Sequence, residues 1–278
     1  MPRLDLRSGS HDEVLGRVER SLGTRLDRAG AVRKRRSIGL PSEAGTWVRV
    51  EARPVAKVMG QGWNGTESAA VLRGVALPRW HQGISWADPE AGLMWRADET
   101  DYVAARPVQS GGILTEDPGL DDAWWSTLTG SLAALAGAVT TRVATPHTEP
   151  ISQARVSATI GRAFAERIET TLERWAPAHA DLNWANLTAP ECVLLDWEDW
   201  GQAPLGLDAA NLWVNSLAVP ALADRVRDEF AAELGTRTGK IVMLFLCADI
   251  VTAPPDYAGA LFDPARVAVE ILLKDLQA

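Results

Sequence analysis

Residues 179 to 201 read HADLNWANLTAPECVLLDWEDWG: a His, an Asp and an Asn within eight positions, then three more carboxylates beyond a short apolar run. Side chains so rich in oxygen can hold a hard divalent cation and orient a hydroxyl. Phosphoryl transfer from a nucleotide needs such groups: a carboxylate near the acceptor hydroxyl, oxygen ligands for Mg²⁺, and positive charge against the phosphates. Mg²⁺ takes only one or two protein carboxylates and completes its shell with water and phosphate oxygens. Asp181 falls in a loop, Asn186 follows five positions later, and VLLD at 193 to 196 reads as a short strand delivering Asp196 at its end. A loop and a strand end can converge on one ion. The plain alternative is a polar turn before a strand, since Asp and Asn are frequent in turns.

Two sets of elements must position these residues. Val14, Leu15, Val18, Leu22 and Leu26 recur at helical spacing and predict a short amphipathic helix within residues 10 to 28. Residues 36 to 59 alternate apolar and polar positions in TWVRVEA around a Pro-Ser-Glu-Ala-Gly turn, which predicts two or three antiparallel strands ending at Met59. TESAAVLRGVAL, 66 to 77, predicts a helix capped by Thr66 and closed before Pro78. Residues 84 to 108 return to short strands, with Asp-Pro-Glu-Ala-Gly as a hairpin turn. Beyond 120 the pattern is helical: 121 to 139, 158 to 175, and four further segments beginning at Leu207, Ala221, Lys240 and Pro264. PVQSGGILTEDPG, rich in Gly and Pro, marks the boundary between lobes at 1–107 and 108–278.

Composition narrows the partners. The 278 residues are 46% hydrophobic and 23% charged, ordinary for a folded protein. The N-terminal stretch has no uninterrupted apolar segment of the secretory kind. The strongest apolar run, IVMLFLC at 241 to 247, is far short of the roughly 20 residues a membrane span needs. Cys192 and Cys247 form no C-x-x-C pair and read as buried free thiols, so the expected location is cytoplasmic, away from membranes. A net charge of -8 argues against nucleic acid and favours neutral or cationic partners. GQGWNG lacks the pattern of a P-loop.

His179-Ala-Asp181-Leu-Asn-Trp-Ala-Asn186 resembles the H-x-D-x-x-x-x-N loop of the aminoglycoside phosphotransferase and choline kinase family. LLDWEDWG is similar to that family's I-D-W/F-E-x segment, and PLGLDAANLW to its D-P-x-x-D-L-A region, in the family's order over 179 to 213. The resemblance implies an α+β, bilobal, protein-kinase-like fold: a small antiparallel-sheet N-lobe that binds nucleotide and a larger helical C-lobe that binds acceptor. It implies an ATP-dependent phosphotransferase moving the γ-phosphate to a hydroxyl of a small molecule, with ATP and Mg²⁺ as cofactors. The acceptor would be an antibiotic, an amino alcohol or a sugar-like compound, possibly cationic, and the protein a monomer or homodimer. By position, Asp181 accepts or orients the hydroxyl proton, and Asn186 and Asp196 ligate Mg²⁺. His179 holds the loop, Asp208 braces it, and Glu198 is a further metal contact or a bracing carboxylate.

The N-terminal half matches less well. Kinase-like folds offer a Gly-rich hairpin, a strand lysine for the phosphates and a helix glutamate paired with it. SEAGTWV has one glycine, and the cation is open between Lys57, ten residues before Glu67, and Arg49 or Arg53. Glu67 is the expected partner, and exposed strand charges are the plain alternative for all three cations. RKRR at 33 to 36 would attract ATP or form a solvated strand edge. Ala180 stands where the family usually has Gly. Trp184, Trp197 and Trp200 are packing residues or a wall for the acceptor, and Asp98, Glu99 and Asp101 would suit a cationic acceptor or sit in solvent. These departures keep open a nucleotide-binding pseudokinase acting as a regulatory or binding module. A protein kinase is disfavoured, because neither D-F-G nor A-P-E follows the loop.

Overall fold

The computed structural model describes residues 5–58, 60–111, 113–146, 149–165 and 168–277. Met59, where the strand prediction ended, and residues 166 and 167 of the helix predicted over 158 to 175 lie outside them. The chain forms two compact units, residues 1–71 with 77–104, and residues 72–76 with 105–278.

The first unit is a five-stranded antiparallel sheet with one long helix. Helix α1, Asp12–Leu22, buries Leu15, Val18 and Leu22 from one face and ends at Gly23 in the left-handed region. The strands are β1 (Val32–Arg33), β2 (Ser37–Pro41), β3 (Thr46–Pro54), β4 (Trp80–Asp88) and β5 (Leu93–Asp101), in the order β1-β2-β3-β5-β4. Period-2 alternation puts Val48, Val50 and Ala52 of β3 into a core with Leu15, Val18, Ile38, Leu40, Trp95 and Ala97. The RKRR run lies at the exposed β1 edge and the turn that follows it.

The other face of the sheet is charged. Register places Glu51 opposite Arg96 and Arg49 opposite Asp98. Buried Arg96 donates to both oxygens of Asp98, each at 2.6 Å, and reaches Glu67 of the short helix α2, Gly65–Ala69, at 3.0 Å. Burial pulls the Arg96 pKa down, but the bonds and charges of Asp98 and Glu67 outweigh it, and the net shift is upward. Asp98 also accepts from Trp80, and Glu99 from Thr46 and Gln82. Asp98 and Glu99 are therefore buried and engaged within the sheet. Asp101 alone of the three is exposed, and it bonds His81.

Two predicted elements are shorter than their patterns. The helix expected over 66 to 77 starts at Gly65 after an N-cap at Asn64, and stops at Ala69. Other segments claim the backbone beyond it: Ala76 N–H donates to Ser131, the Ala76 carbonyl accepts from Leu194, and Gly74 has φ 74°. Strand β3 ends at Pro54, which has no N–H to extend the ladder. Lys57 consequently sits in an exposed 3₁₀ turn, Val55–Lys57.

In the second unit, α3 (Asp122–Ala136) lies within the helix predicted over 121 to 139 and is capped by Asp121, which accepts from Trp124 N–H. Helix α4 (Gln153–Phe164) starts earlier than predicted, and Ala165 closes it in the left-handed region. Short pairs β6 (Arg106–Pro107) with β8 (Thr188–Ala189), and β7 (Trp175–Ala178) with β9 (Gly201–Pro204), frame the 179 to 201 segment. Then come α5 (Leu207–Val214), α6 (Pro220–Glu229), α7 (Ala231–Leu234), α8 (Arg237–Thr252), α9 (Pro255–Ala258) and α10 (Phe262–Gln277). Helix α8 contains the IVMLFLC run, is apolar nearly all round, and packs against α4, α5 and α10 as the centre of this unit. Among the described residues no helix is long and apolar enough to cross a membrane.

Replacing Arg96 with Met strands Asp98 in a buried position without its counter-charge. The expected loss of stability is about 3 kcal/mol, read from urea denaturation. Most of it comes from Asp98, because Glu67 is half exposed. An unchanged midpoint would show that the charged face contributes little.

Candidate active site

Strand β7 runs directly into His179, and β9 holds it from the far end of the segment, pairing Ala178 with Gly201. Gly201 is required there, since a Cβ would lie 2.5 Å from the Val143 carbonyl carbon and 2.7 Å from Ala144 N. Between these anchors the chain folds back on itself.

The first fixed point is Asp208, on the first turn of α5 and buried. Its two oxygens accept the backbone N–H of His179 at 2.7 Å and of Ala180 at 2.8 Å. Burial drives its pKa up, opposed by His179 and by those two amides. The second fixed point is Leu195. Its N–H donates to the Asn186 carbonyl at 2.8 Å, and its carbonyl accepts from His179 Nε2 at 2.7 Å. Asp196 is thereby set beside both ends of the 179 to 186 loop.

His179 is entirely buried. Nε2 faces a carbonyl and so carries the proton, while Nδ1 lies 3.4 Å from Asp181 N–H as acceptor, a tautomer assigned from these bonds. The ring packs edge-on to Trp197 at 4.8 Å. Both ring nitrogens of His179 are thus engaged by backbone groups of the loop and of Leu195.

Asp181 is partly exposed and is held by two amides. Asn186 Nδ2 donates to its carbonyl at 2.8 Å and to Oδ2 at 3.0 Å. Asn183 Nδ2 reaches the same carbonyl at 3.1 Å and Oδ1 at 3.3 Å. With its nitrogen committed, Asn186 has its amide oxygen left for a cation. Trp184 is buried, stacks on Trp124 and meets Trp125 edge-on. Trp184, Trp197 and Trp200 are all packing residues, each almost wholly buried.

Asp196 is exposed at φ 64°. The strand expected at 193 to 196 is reduced to a single bridge between Leu187 and Leu194, because Leu195 bonds to loop atoms on both sides. The following turn is braced by a residue the motif reading did not find. Arg142 donates to the carbonyls of Glu198 and Trp200 and lies over the Trp200 ring at 5.1 Å. Burial lowers its pKa, partly countered by Asp199.

Asp199 is pushed up to about 6, by burial first and then by Glu198, Asp181 and Asp196, against a hydrogen bond from Thr145. Asp199 therefore lies within reach of the charges of Asp181, Asp196 and Glu198, an arrangement that a hard cation relieves. Among the described residues no three His, Cys, Asp or Glu side chains could hold a metal by themselves. Asp196, the Asn186 oxygen and Glu198 are of the oxygen-donor type that could hold Mg²⁺, which draws its remaining ligands from water and phosphate.

The sequence-predicted cations lie in the first unit. Arg49 bonds Glu51 at 3.3 Å, and Arg53 bonds the same carboxylate. Glu67 pairs with Arg96 in place of the expected Lys57. Arg96 was missed because Arg-Ala-Asp in a strand carries no signal that its side chain is buried.

The chain has the fold of the protein-kinase-like phosphotransferases. It is similar to APH(2")-IIa in a ternary complex with streptomycin and ATP, with a TM-score of 0.55, 10% identity, and 96% of this chain and 97% of that one covered. It is also similar to an aminoglycoside phosphotransferase from Alicyclobacillus acidocaldarius, with a TM-score of 0.51, 14% identity, and coverage of 97% and 96%. No family sequence model matches the chain, and no curated protein sequence does. At such identities the likeness establishes the fold.

Ala180, clamped by Asp208, has φ 74°. A left-handed L-residue costs about 1–2 kcal/mol, and glycine gives back roughly 0.5–1 kcal/mol in chain entropy. Ala180→Gly is therefore expected to stabilise the protein by about 1 kcal/mol, seen as a higher melting temperature. A fall in melting temperature would show that the loop holds no such strain.

Proposed function

We propose that this protein is an ATP-dependent phosphotransferase acting on a hydroxyl of a small molecule. The observation that carries the reading is Asp181, a partly exposed carboxylate fixed by Asn183 and Asn186 in a loop tied to Asp208 and Leu195. In this role Asp181 receives the hydrogen bond of the acceptor hydroxyl and aims its oxygen at the phosphorus. A carboxylate is a weak base at neutral pH, so orientation carries most of its effect. Asp196 and the Asn186 oxygen hold Mg²⁺, with Glu198 beside them. When bound, the ion offsets the charge of the phosphates. His179, Asp208 and Arg142 keep this constellation in place. Buried free thiols at Cys192 and Cys247, both pushed up to about 12 by burial, agree with a cytoplasmic location.

A second reading, a pseudokinase that binds nucleotide without transferring phosphate, draws on the first unit. Strand β3 has no lysine, Lys57 is exposed in a turn, and Glu67 is engaged by Arg96. Purified protein with ATP, Mg²⁺ and a panel of alcohols separates the two readings. Acceptor-dependent ADP formation supports transfer, and tight ATP binding without turnover supports the module.

Two variants test the assignments. Asp181→Asn is expected to lower transfer by about 10²-fold or more while leaving nucleotide affinity nearly intact. Turnover equal to the parent would remove Asp181 from the mechanism. Asp196→Ala is expected to abolish the Mg²⁺-dependent part of ATP affinity, measured by calorimetric titration with and without the metal. An unchanged Mg-ATP titration would show that Asp196 is not a ligand.

A further inference from the structure

A cavity of about 390 Å³ opens beside Asp181 within the second unit, in the size range of roughly 300–1,000 Å³ typical of small-molecule sites. Of its ten described lining residues only Asp181 is charged, whereas four are carboxamides: Gln109, Asn183, Asn211 and Asn215. Asn211 and Asn215 lie four residues apart at the end of α5, on one helical face. The helix that clamps the loop through Asp208 thus also presents amides to the cavity.

These amides are oriented in advance. Asn211 Nδ2 donates to the Ala180 carbonyl at 3.4 Å, Asn215 Nδ2 to the Asn211 carbonyl at 2.8 Å, and Gln109 Nε2 to the Gly111 carbonyl at 2.7 Å. Among the described residues the amide oxygens of these three have no hydrogen-bond partner. Each therefore offers an acceptor and one remaining N–H, the complement of a hydroxyl, which both donates and accepts. Among the described residues an ammonium finds no second carboxylate in this wall. At Asp181 it would displace the hydroxyl that is to react. Asp98 and Glu99, which could have served a cationic acceptor, are engaged within the sheet of the first unit.

The geometry points to an uncharged polyhydroxylated acceptor, a sugar or cyclitol without amino groups, as the substrate class of this cavity. The inference rests on the phosphotransfer reading of Asp181, and it sets the site apart from one built for polycationic acceptors. One of the hydroxyls bonds Asp181, and the others bridge Gln109, Asn211 and Asn215.

The test uses matched neutral and amino sugars, glucose with glucosamine and maltose with its amino-substituted counterpart, scored by ATP consumption and by calorimetric binding. The neutral member of each pair is expected to show at least tenfold higher kcat/KM and tighter binding. Asn215→Asp should shrink or reverse that ratio by adding the missing counter-charge. Equal or better use of the amino sugars by the parent protein overturns the acceptor class and leaves phosphotransfer standing. Selective binding of the neutral sugars without ATP consumption sustains the acceptor class and overturns phosphotransfer. Neither binding nor turnover with any member overturns both.

Discussion

Asp208 is buried, yet it sits where two backbone amides, those of His179 and Ala180, converge on its oxygens. A carboxylate buried without partners would be costly, and amides buried without acceptors equally so. Each therefore requires the other, and this mutual need makes the turn after β7 rigid. Everything downstream takes its position from that turn. His179 is held so that Nε2 meets Leu195, Leu195 is held by Asn186 in return, and Asp196 follows. Asp181, between the two fixed points, projects from backbone that cannot shift without breaking buried hydrogen bonds. Preorganisation of this kind is what a weakly basic carboxylate needs in order to be useful.

The same clamp links the loop to α5. That helix carries Asp208 on its first turn and Asn211 and Asn215 toward its end, so one rigid element supports both the loop of Asp181 and the amide-lined wall beside it. On the other side Arg142 and Gly201 tie the Glu198 to Trp200 turn to the chain around Val143. The site is thus made of loops, but its position is set by a helix and by the β7 and β9 pair.

Much of this was legible in the residues, and the parts that were not have physical causes. The α+β division and most helices could be read because amphipathic periodicity is local, as in α1, α3 and α8. The spacing from His179 to Asp196 marked a segment that the structure folds back on itself, since groups that meet on one short loop must be close in the chain. VLLD misled because an apolar run signals burial, and burial here comes from hydrogen bonds of Leu195 to the loop rather than from a strand ladder. The helix over 66 to 77 failed because Ser131 and Leu194, distant in sequence, claim Ala76. Arg96 and Arg142 were invisible for the same reason: an arginine reads as surface charge until its partners are known. Lys57 and Glu67 were paired on spacing and resemblance, whereas the structure pairs Glu67 of α2 with Arg96 of β5.

The central claim is that buried Asp208 holds the loop that presents Asp181. Its most direct test is amide hydrogen exchange at His179 and Ala180 in Asp208→Asn, where one of the two acceptor oxygens is lost. Exchange at those two amides should accelerate by about 10- to 100-fold, corresponding to an unsatisfied buried group of roughly 1–3 kcal/mol, with α8 still protected. Unchanged protection at His179 and Ala180 would contradict the account.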